Sequence, residues 1–251
     1  MPLAGRRALI TGGAAGIGEA TARRFAADGA SVVVMDTTAP AAEIARDSRH
    51  LIADVTDPVQ VAEAVREAAG DGGLDVCVAN AGVSSMEGFL AGTSTSWEQV
   101  LRVNLLGVMI TLQAAAKAMV DAGRGGRLLV TASIAGLHGE PGSSAYCASK
   151  AGVIGLVKTL AVELAPWSIT ANAVAPGQID TAMNTRDLET AGRKSGRPAA
   201  ALLREHLRLR VPAGRRGTPD EVASLFAFLA SDEAAFINGE VLRIDGGELA
   251  S

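Results

Sequence analysis

Short apolar runs and longer segments of helical period take turns along this whole chain, and that alternation admits very few folds. Strands are expected at 6–11, 31–35, 50–53, 74–79, 127–132, 169–175 and 240–245. Helices are expected at about 16–28, 57–69, 97–121, 144–165 and 219–230, with Asp57-Pro58 as cap and first turn of the second. Residues 181–216 read as irregular and strongly basic. Strand–helix–strand units joined by right-handed crossovers give an α/β fold: a doubly wound, seven-stranded parallel sheet with helices on both faces. No internal repeat or linker divides the 251 residues, so a single domain over 1–251 is expected, with a lid at about 181–216.

Composition narrows the possibilities further. Hydrophobic residues make up 48% of the chain but aromatics only 3%, so the core must be built from Ala, Val, Leu and Ile. A net charge of −4 argues against a nucleic-acid partner. No apolar run approaches the roughly 18 residues that span a membrane. A strand-like segment follows Met1–Arg7 at once, so no signal peptide is expected, and a cytoplasmic location is the default. Cys77 and Cys147 fall in a strand and a helix; two thiols make neither a disulfide framework nor a metal site, and no metal is expected.

The first expected turn carries chemistry. Thr11-Gly12-Gly13-Ala14-Ala15-Gly16-Ile17-Gly18 joins a strand to a helix. Glycines there let the backbone approach a pyrophosphate closely, and the helix N-terminus then faces the anion. The spacing is G-x-x-x-G-x-G rather than G-x-G-x-x-G, and such a segment can also be no more than a turn. Asp36 ends the second strand about 20 residues later, where a carboxylate accepts hydrogen bonds from ribose hydroxyls and repels the extra phosphate of NADP. Thr37 rather than Arg follows it, so NAD is the expected cofactor; the alternative is a strand-end Asp capping a turn. Asp54-Val55 could hold an adenine edge, though Asp54 could equally cap the turn that follows. Asn80-Ala81-Gly82 would leave room for the dinucleotide.

The only tyrosine lies in Tyr146-Cys147-Ala148-Ser149-Lys150. On a helix this spacing puts a phenol and an ammonium on one face. A cation beside the phenol is expected to lower its pKa and so fit it for proton transfer near neutral pH. The plain alternative is a half-buried Tyr and a surface Lys.

Taken in order, these motifs resemble the short-chain dehydrogenase/reductase family, over nearly the whole chain from Thr11 to Gly247. The family's Thr-Gly-x-x-x-Gly-x-Gly turn is Thr11 to Gly18. Its Asn-Asn-Ala-Gly motif appears as Ala79-Asn80-Ala81-Gly82, with Ala79 in place of the first Asn. The family's catalytic tetrad carries over as Asn104, Ser133, Tyr146 and Lys150. Pro176-Gly177-Gln178-Ile179-Asp180-Thr181 resembles the segment that touches the nicotinamide carboxamide, through the main chain at Ile179 and the hydroxyl of Thr181.

The resemblance implies a Rossmann fold, bound NAD, and hydride transfer between nicotinamide and a secondary alcohol carbon. It makes Tyr146 the acid/base and Lys150 the holder of the nicotinamide ribose. Ser133 would bind the substrate oxygen, and Asn104 would hold a relay water. Asn238-Gly239-Glu240 and Asp245-Gly246-Gly247 resemble the segment that packs subunits, implying a homotetramer, with a dimer as second choice.

The substrate end is less legible. Ala135, His138, Glu140 and Met183 are the candidates to line it beside Ser133 and Tyr146; His138 and Glu140 could instead sit at a wet loop edge. The lid pattern is loosely similar to family members acting on polyols and hydroxy-ketones, so a small polyol or hydroxy-ketone is the expected substrate. Residues 186–216 hold nine Arg or Lys against three acids. That basic excess could attract an acyl-carrier or coenzyme A thioester, which makes a 3-oxoacyl-thioester reductase the alternative; charge runs are also often just solvated helix faces.

Overall fold

A computed structural model of the chain describes residues 1–39 and 48–250. Seven strands form one sheet: β1 (Arg7–Thr11), β2 (Ser31–Asp36), β3 (Arg49–Ile52), β4 (Val76–Ala79), β5 (Gly126–Thr131), β6 (Ile169–Pro176) and β7 (Val241–Ile244). Their order is β3-β2-β1-β4-β5-β6-β7, and every neighbouring pair is parallel. The chain runs outward from β1 in one direction, then restarts at β4 in the other. That reversal opens a crevice at the carboxyl ends of β1 and β4, where ligands of such sheets bind.

Successive residues of a strand point to opposite faces, so each central strand feeds two cores. Leu9, Cys77 and Leu128 pack with Val65 of α2 (Pro58–Ala69), Leu112 of α4 (Val108–Ala122) and Val157 of α5 (Ser144–Glu163). Their neighbours Ile10, Val78 and Leu129 pack on the other face with Phe25 of α1 (Gly16–Ala27) and Phe226 of α8 (Pro219–Ala230). Phe25 and Phe226 head the fully buried side chains by volume. Truncating either to Ala costs about 3–5 kcal/mol.

Local chemistry sets the helix starts. Asp57 caps α2 by accepting from the amides of Val59 at 2.9 Å and Gln60 at 3.3 Å, with Pro58 in the first turn as expected. Thr218 and Glu221 form a reciprocal capping box at α8, followed by Pro219.

Three expectations are corrected. The helix expected over 97–121 is α3 (Ser94–Leu101), a π-helical turn (Arg102–Gly107) and α4. The widened turn carries Asn104, whose amide side chain bonds the backbone of Val83 outside the helix; a Cβ on Gly107 would come within 2.8 Å of Val55. The segment 181–216 is not irregular, because it holds α6 (Ala182–Ser195) and α7 (Ala199–Arg210). Thr181 caps α6, accepting from Asn184 N at 3.2 Å, and Gly196 ends it in the left-handed conformation at φ 67°.

Finally, the helical stretches Ser94–Ala122 and Ser144–Glu163 are long and apolar enough to cross a membrane by length and composition. Each packs Leu112, Met119, Val153 or Val157 into the core beneath the sheet, which accounts for the apolar composition without a bilayer.

Candidate active site

A cavity of about 840 Å³ follows the carboxyl edge of the sheet. Asp36 lines it at the end of β2, Asp54 after β3, Asn80 after β4, Ser133 after β5 and Pro176 at the end of β6.

Two positions in and just after the turn from β1 to α1 are packed too tightly for a side chain. Gly12 has φ 66°, and a Cβ there would stand 2.7 Å from Ala81 Cα. A Cβ on Gly18 would stand 2.2 Å from the Gly12 carbonyl oxygen. Ala15 caps α1 without a side-chain acceptor, so the first-turn amides are left for an anion. Ala15, Gly16 and Ile17 face the cavity; Gly18 does not line it and acts through packing alone. A dinucleotide pyrophosphate fits this uncapped helix end.

Both oxygens of Asp36 are already engaged by the chain. Oδ2 accepts from Ala14 N at 3.0 Å, and Oδ1 accepts from Thr38 N at 3.0 Å and Thr38 Oγ1 at 3.1 Å. The carboxylate is thereby fixed at the cavity wall with further acceptor capacity. Asp54 does cap its turn, accepting from Thr56 N at 2.8 Å, and it lines the cavity as well, beside Val55. Asn80 ties three strands together. Its Nδ2 donates to the carbonyls of Thr11 and Gly12 at 3.1 and 2.9 Å, and its Oδ1 accepts from Thr131 Oγ1 at 2.9 Å. Ala81 and Gly82 continue the wall, which closes at Pro176, Gly177, Ile179 and Thr181.

Ser133, Tyr146 and Lys150 come together on one side. Lys150 is buried, 3% exposed, and its Nζ donates to the Thr131 carbonyl at 2.8 Å. Burial lowers its pKa to about 8. Burial also pushes the Tyr146 phenol up to about 12; its hydrogen bond with Ser133 opposes that shift, and the Asp187 charge adds to it. This corrects the expectation that Lys150 holds the phenol below its ordinary value: desolvation dominates in the cavity as it stands.

Asn104 does not reach the cavity. It is fully buried, donates to the Val83 carbonyl at 2.9 Å and Ser149 Oγ at 3.2 Å, and accepts from Val83 N at 2.8 Å. Its side chain anchors the Val83 and Ser149 segments, beneath the cavity-lining Gly82, where a Cβ would come within 3.3 Å of Asn104 Oδ1 and 3.7 Å of Lys150 Nζ.

Ala135, His138, Glu140 and Met183 all line the same cavity as Ser133 and Tyr146. His138 Nδ1 bonds the Ile134 carbonyl at 2.9 Å, and its Nε2 lies 3.4 Å from Glu140 Oε2. Glu140 is 43% exposed, at the rim. Sequence reasoning did not single out Asp187, His206 or Glu248, which also line the cavity. Asp187 accepts from Ser84 Oγ at 2.8 Å, and burial raises its pKa. His206 and Asp187 lie on lid helices that were read as irregular, so no periodicity pointed their side chains inward. Glu248 follows a Gly-Gly turn that offers no periodicity at all.

The lid's positive charge mostly faces away. Of its nine Arg and Lys, only Arg186 lines the cavity. Arg197 pairs with Glu205, Arg215 with Glu221 at 2.6 Å and Arg216 with Asp180 at 2.8 Å. Among the described residues, no group of three or more His, Cys, Asp or Glu is placed to hold a metal ion.

Comparison with known proteins agrees with this geometry. A family model described as enoyl-(acyl carrier protein) reductase matches residues 12–248. A solved short-chain type dehydrogenase/reductase from Mycobacterium marinum superposes with a TM-score of 0.87 at 35% identity, over 99% of this chain and 97% of that one. The chain belongs to the short-chain dehydrogenase/reductase family. Within this family it is 39% identical to the 3-oxoacyl-[acyl-carrier-protein] reductase FabG of Thermotoga maritima, over 98% of this chain and 99% of the relative. It is 36% identical to galactitol 2-dehydrogenase of Agrobacterium fabrum over the full length of both. Short-chain dehydrogenases/reductases are nicotinamide-dependent oxidoreductases of alcohols and ketones on a Rossmann-type sheet, and this chain is one of them.

Proposed function

We propose that the protein is an NAD-dependent dehydrogenase that interconverts a secondary alcohol and a ketone, with a small polyol or hydroxy-ketone as substrate. The observation that carries this reading is the meeting of Ser133, Tyr146 and Lys150 on one cavity wall. Gly12, Ala15, Gly16, Ile17 and Asp36 would hold the pyrophosphate and adenosine ribose, with Gly18 packing beneath them. Asp54, Val55, Asn80, Ala81 and Gly82 border the adenosine side, while Pro176, Gly177, Ile179 and Thr181 border the nicotinamide side. The bound cofactor supplies hydride acceptance and donation.

The chain's own residues manage the proton. Tyr146 takes the alcohol proton in oxidation and returns it in reduction. Ser133 donates to the substrate oxygen and stabilises alkoxide charge as it develops. Lys150 places a cation beside both, and Asn104 positions the Val83 and Ser149 segments around it. NAD rather than NADP is supported by Asp36 and by the absence of Arg or Lys among the described lining residues at that end.

A hydroxyl-rich substrate is supported by the acceptors facing it. Glu140, Asp187 and Glu248 line that side, against a single lid cation, Arg186. Ala135, His138 and Met183 complete the substrate wall. One observation favours a second reading, reduction of a 3-oxoacyl thioester: Arg193, Arg204, Arg208 and Arg210 are on the outside of the lid helices, where an acidic carrier could dock. We further propose one catalytic domain over 1–251, a cytoplasmic location and a homotetramer. Val162 and Trp167, exposed on α5 and the turn after it, supply apolar surface for subunit packing.

The test is NAD reduction or NADH oxidation against polyols, vicinal diols, simple secondary alcohols, hydroxy-ketones and 3-oxoacyl or 3-hydroxyacyl thioesters. Turnover of a polyol or hydroxy-ketone supports the first reading. Turnover confined to thioesters installs the second.

A further inference from the structure

Glu248 is a buried carboxylate on the cavity wall that the proton chemistry above leaves unused. Its side chain is 1% exposed, yet it lines the cavity. The segment after β7 is built to hold it there. Gly246 and Gly247 turn the chain at φ 64° and 89°, conformations that glycine adopts freely. Asp245 secures the turn, accepting from Gly247 N and Leu249 N at 3.0 Å each. The Gly246 carbonyl accepts from Ala213 N at 3.0 Å, which ties the turn to the chain that follows α7.

Helix α7 brings His206 across, with Nε2 3.0 Å from Glu248 Oε1. That approach does not complete a hydrogen bond. Among the described residues, both His206 Nε2 and Glu248 Oε2 are buried without a hydrogen-bond partner. Oε2 lies over Gly177, where a Cβ would come within 3.3 Å of it; Gly177 faces the same cavity just past the end of β6. Buried polar atoms without partners are unfavourable and uncommon. A buried carboxylate with an open oxygen calls for a donor from the ligand.

We propose that Glu248 and His206 form a specificity pair that binds a second hydroxyl of the substrate, away from the carbinol that is oxidised. Glu248 Oε2 accepts from that hydroxyl, and His206 closes over it from the lid. The same carboxylate repels a substrate carboxylate or phosphate at that position. This deepens the proposed reading, on which it rests: it selects diols and polyols over monohydroxy alcohols, and the selection comes from residues separate from the proton-transfer group.

The test compares cyclohexanol with the 1,2-, 1,3- and 1,4-cyclohexanediols as substrates, with NAD, in wild type, Glu248→Gln and Glu248→Leu. The readout is the ratio of kcat/KM for the best diol over cyclohexanol, which is insensitive to the fraction of folded enzyme. The expected wild-type ratio is about 10–100, falling to near one in Glu248→Leu and part-way in Glu248→Gln, which keeps an acceptor. A ratio near one in wild type, or an unchanged ratio in Glu248→Leu, overturns the proposal. If none of these alcohols is oxidised, the polyol and hydroxy-ketone panel decides whether the proposed substrate class has failed, and calorimetric titration of wild type and Glu248→Leu with the diols reads the pair by itself. Diol binding weakened at least tenfold by the substitution supports the pair; equal binding, or none to wild type, overturns it.

Discussion

The Lys150 ammonium stands 5.6 Å from the centre of the Tyr146 ring. It sits over the ring and spends its hydrogen bond on the Thr131 carbonyl at 2.8 Å. The two residues are thus near neighbours whose charges burial opposes: the phenol is pushed up to about 12 and the ammonium down to about 8. The pair is poised for a ligand whose hydroxyls and charge replace the lost solvation.

Because the chain has one tyrosine, phenolate absorbance reports Tyr146 alone. At pH 11 an ordinary tyrosine is mostly ionised. Cofactor-free protein is expected to remain a phenol there for as long as circular dichroism shows it folded. A phenolate signal growing in below pH 10 in folded protein contradicts the burial account.

Lys150 gives a stability test with a definite sign. Its pKa falls from 10.5 to about 8 on folding. Below pH 8 it is protonated in both states. Between about 8 and 10.5 the unfolded chain binds the proton and the folded one does not, so stability rises with pH across that window. Relative to Lys150→Met, wild type is expected to gain up to ~3 kcal/mol over the window, read from denaturant melts at several pH values. A flat difference contradicts the lowered pKa.

Asp36 should decide between cofactors. Asp36→Asn keeps a side-chain acceptor but removes the charge facing the ribose. The ratio of kcat/KM for NAD over NADP is expected to fall by at least about tenfold, through losing NAD contacts and admitting the extra phosphate. If the ratio does not move, the carboxylate only holds Ala14 and Thr38 in place.

Glycine positions separate packing from mere flexibility. In Gly18→Ala the new Cβ meets the Gly12 carbonyl oxygen at 2.2 Å, a backbone atom that has nowhere to go. A loss of about 1–3 kcal/mol and of NAD binding is expected. Gly155 lies exposed in α5 with nothing within 4 Å of a Cβ inside its own protomer, so Gly155→Ala is expected to stabilise the protomer by about 0.5–1 kcal/mol, measured at a protein concentration where it is monomeric. Thermal melts of the two variants against wild type check both signs.

The strands and the cofactor turn were legible because their signals are local. Apolar runs such as Val32–Met35 need no tertiary information to be read as buried parallel strands, and the capping pairs Asp57-Pro58 and Thr218-Pro219 mark helix starts. The π-turn was not legible. It depends on Val83, far away in sequence, taking the side chain of Asn104. The lid helices were hidden by their charge: Arg and Lys are good helix formers, but an excess of one sign reads as loop when no apolar stripe accompanies it. The phenol's raised pKa was missed for a related reason. Spacing showed Lys150 near Tyr146, but how much water each loses depends on the whole cavity wall. Asp187, His206 and Glu248 converge only through tertiary packing, and their convergence shapes the substrate reading.

The central claim is that Tyr146 moves the proton in an NAD-linked alcohol–ketone reaction. The most direct measurement compares wild type with Tyr146→Phe, following NAD reduction with the best secondary alcohol and NAD binding by calorimetry in the same preparations. The account predicts that kcat falls by at least about a thousandfold while the NAD dissociation constant changes by less than about fivefold. Turnover by Tyr146→Phe within tenfold of wild type would contradict it, since no other tyrosine exists to take over.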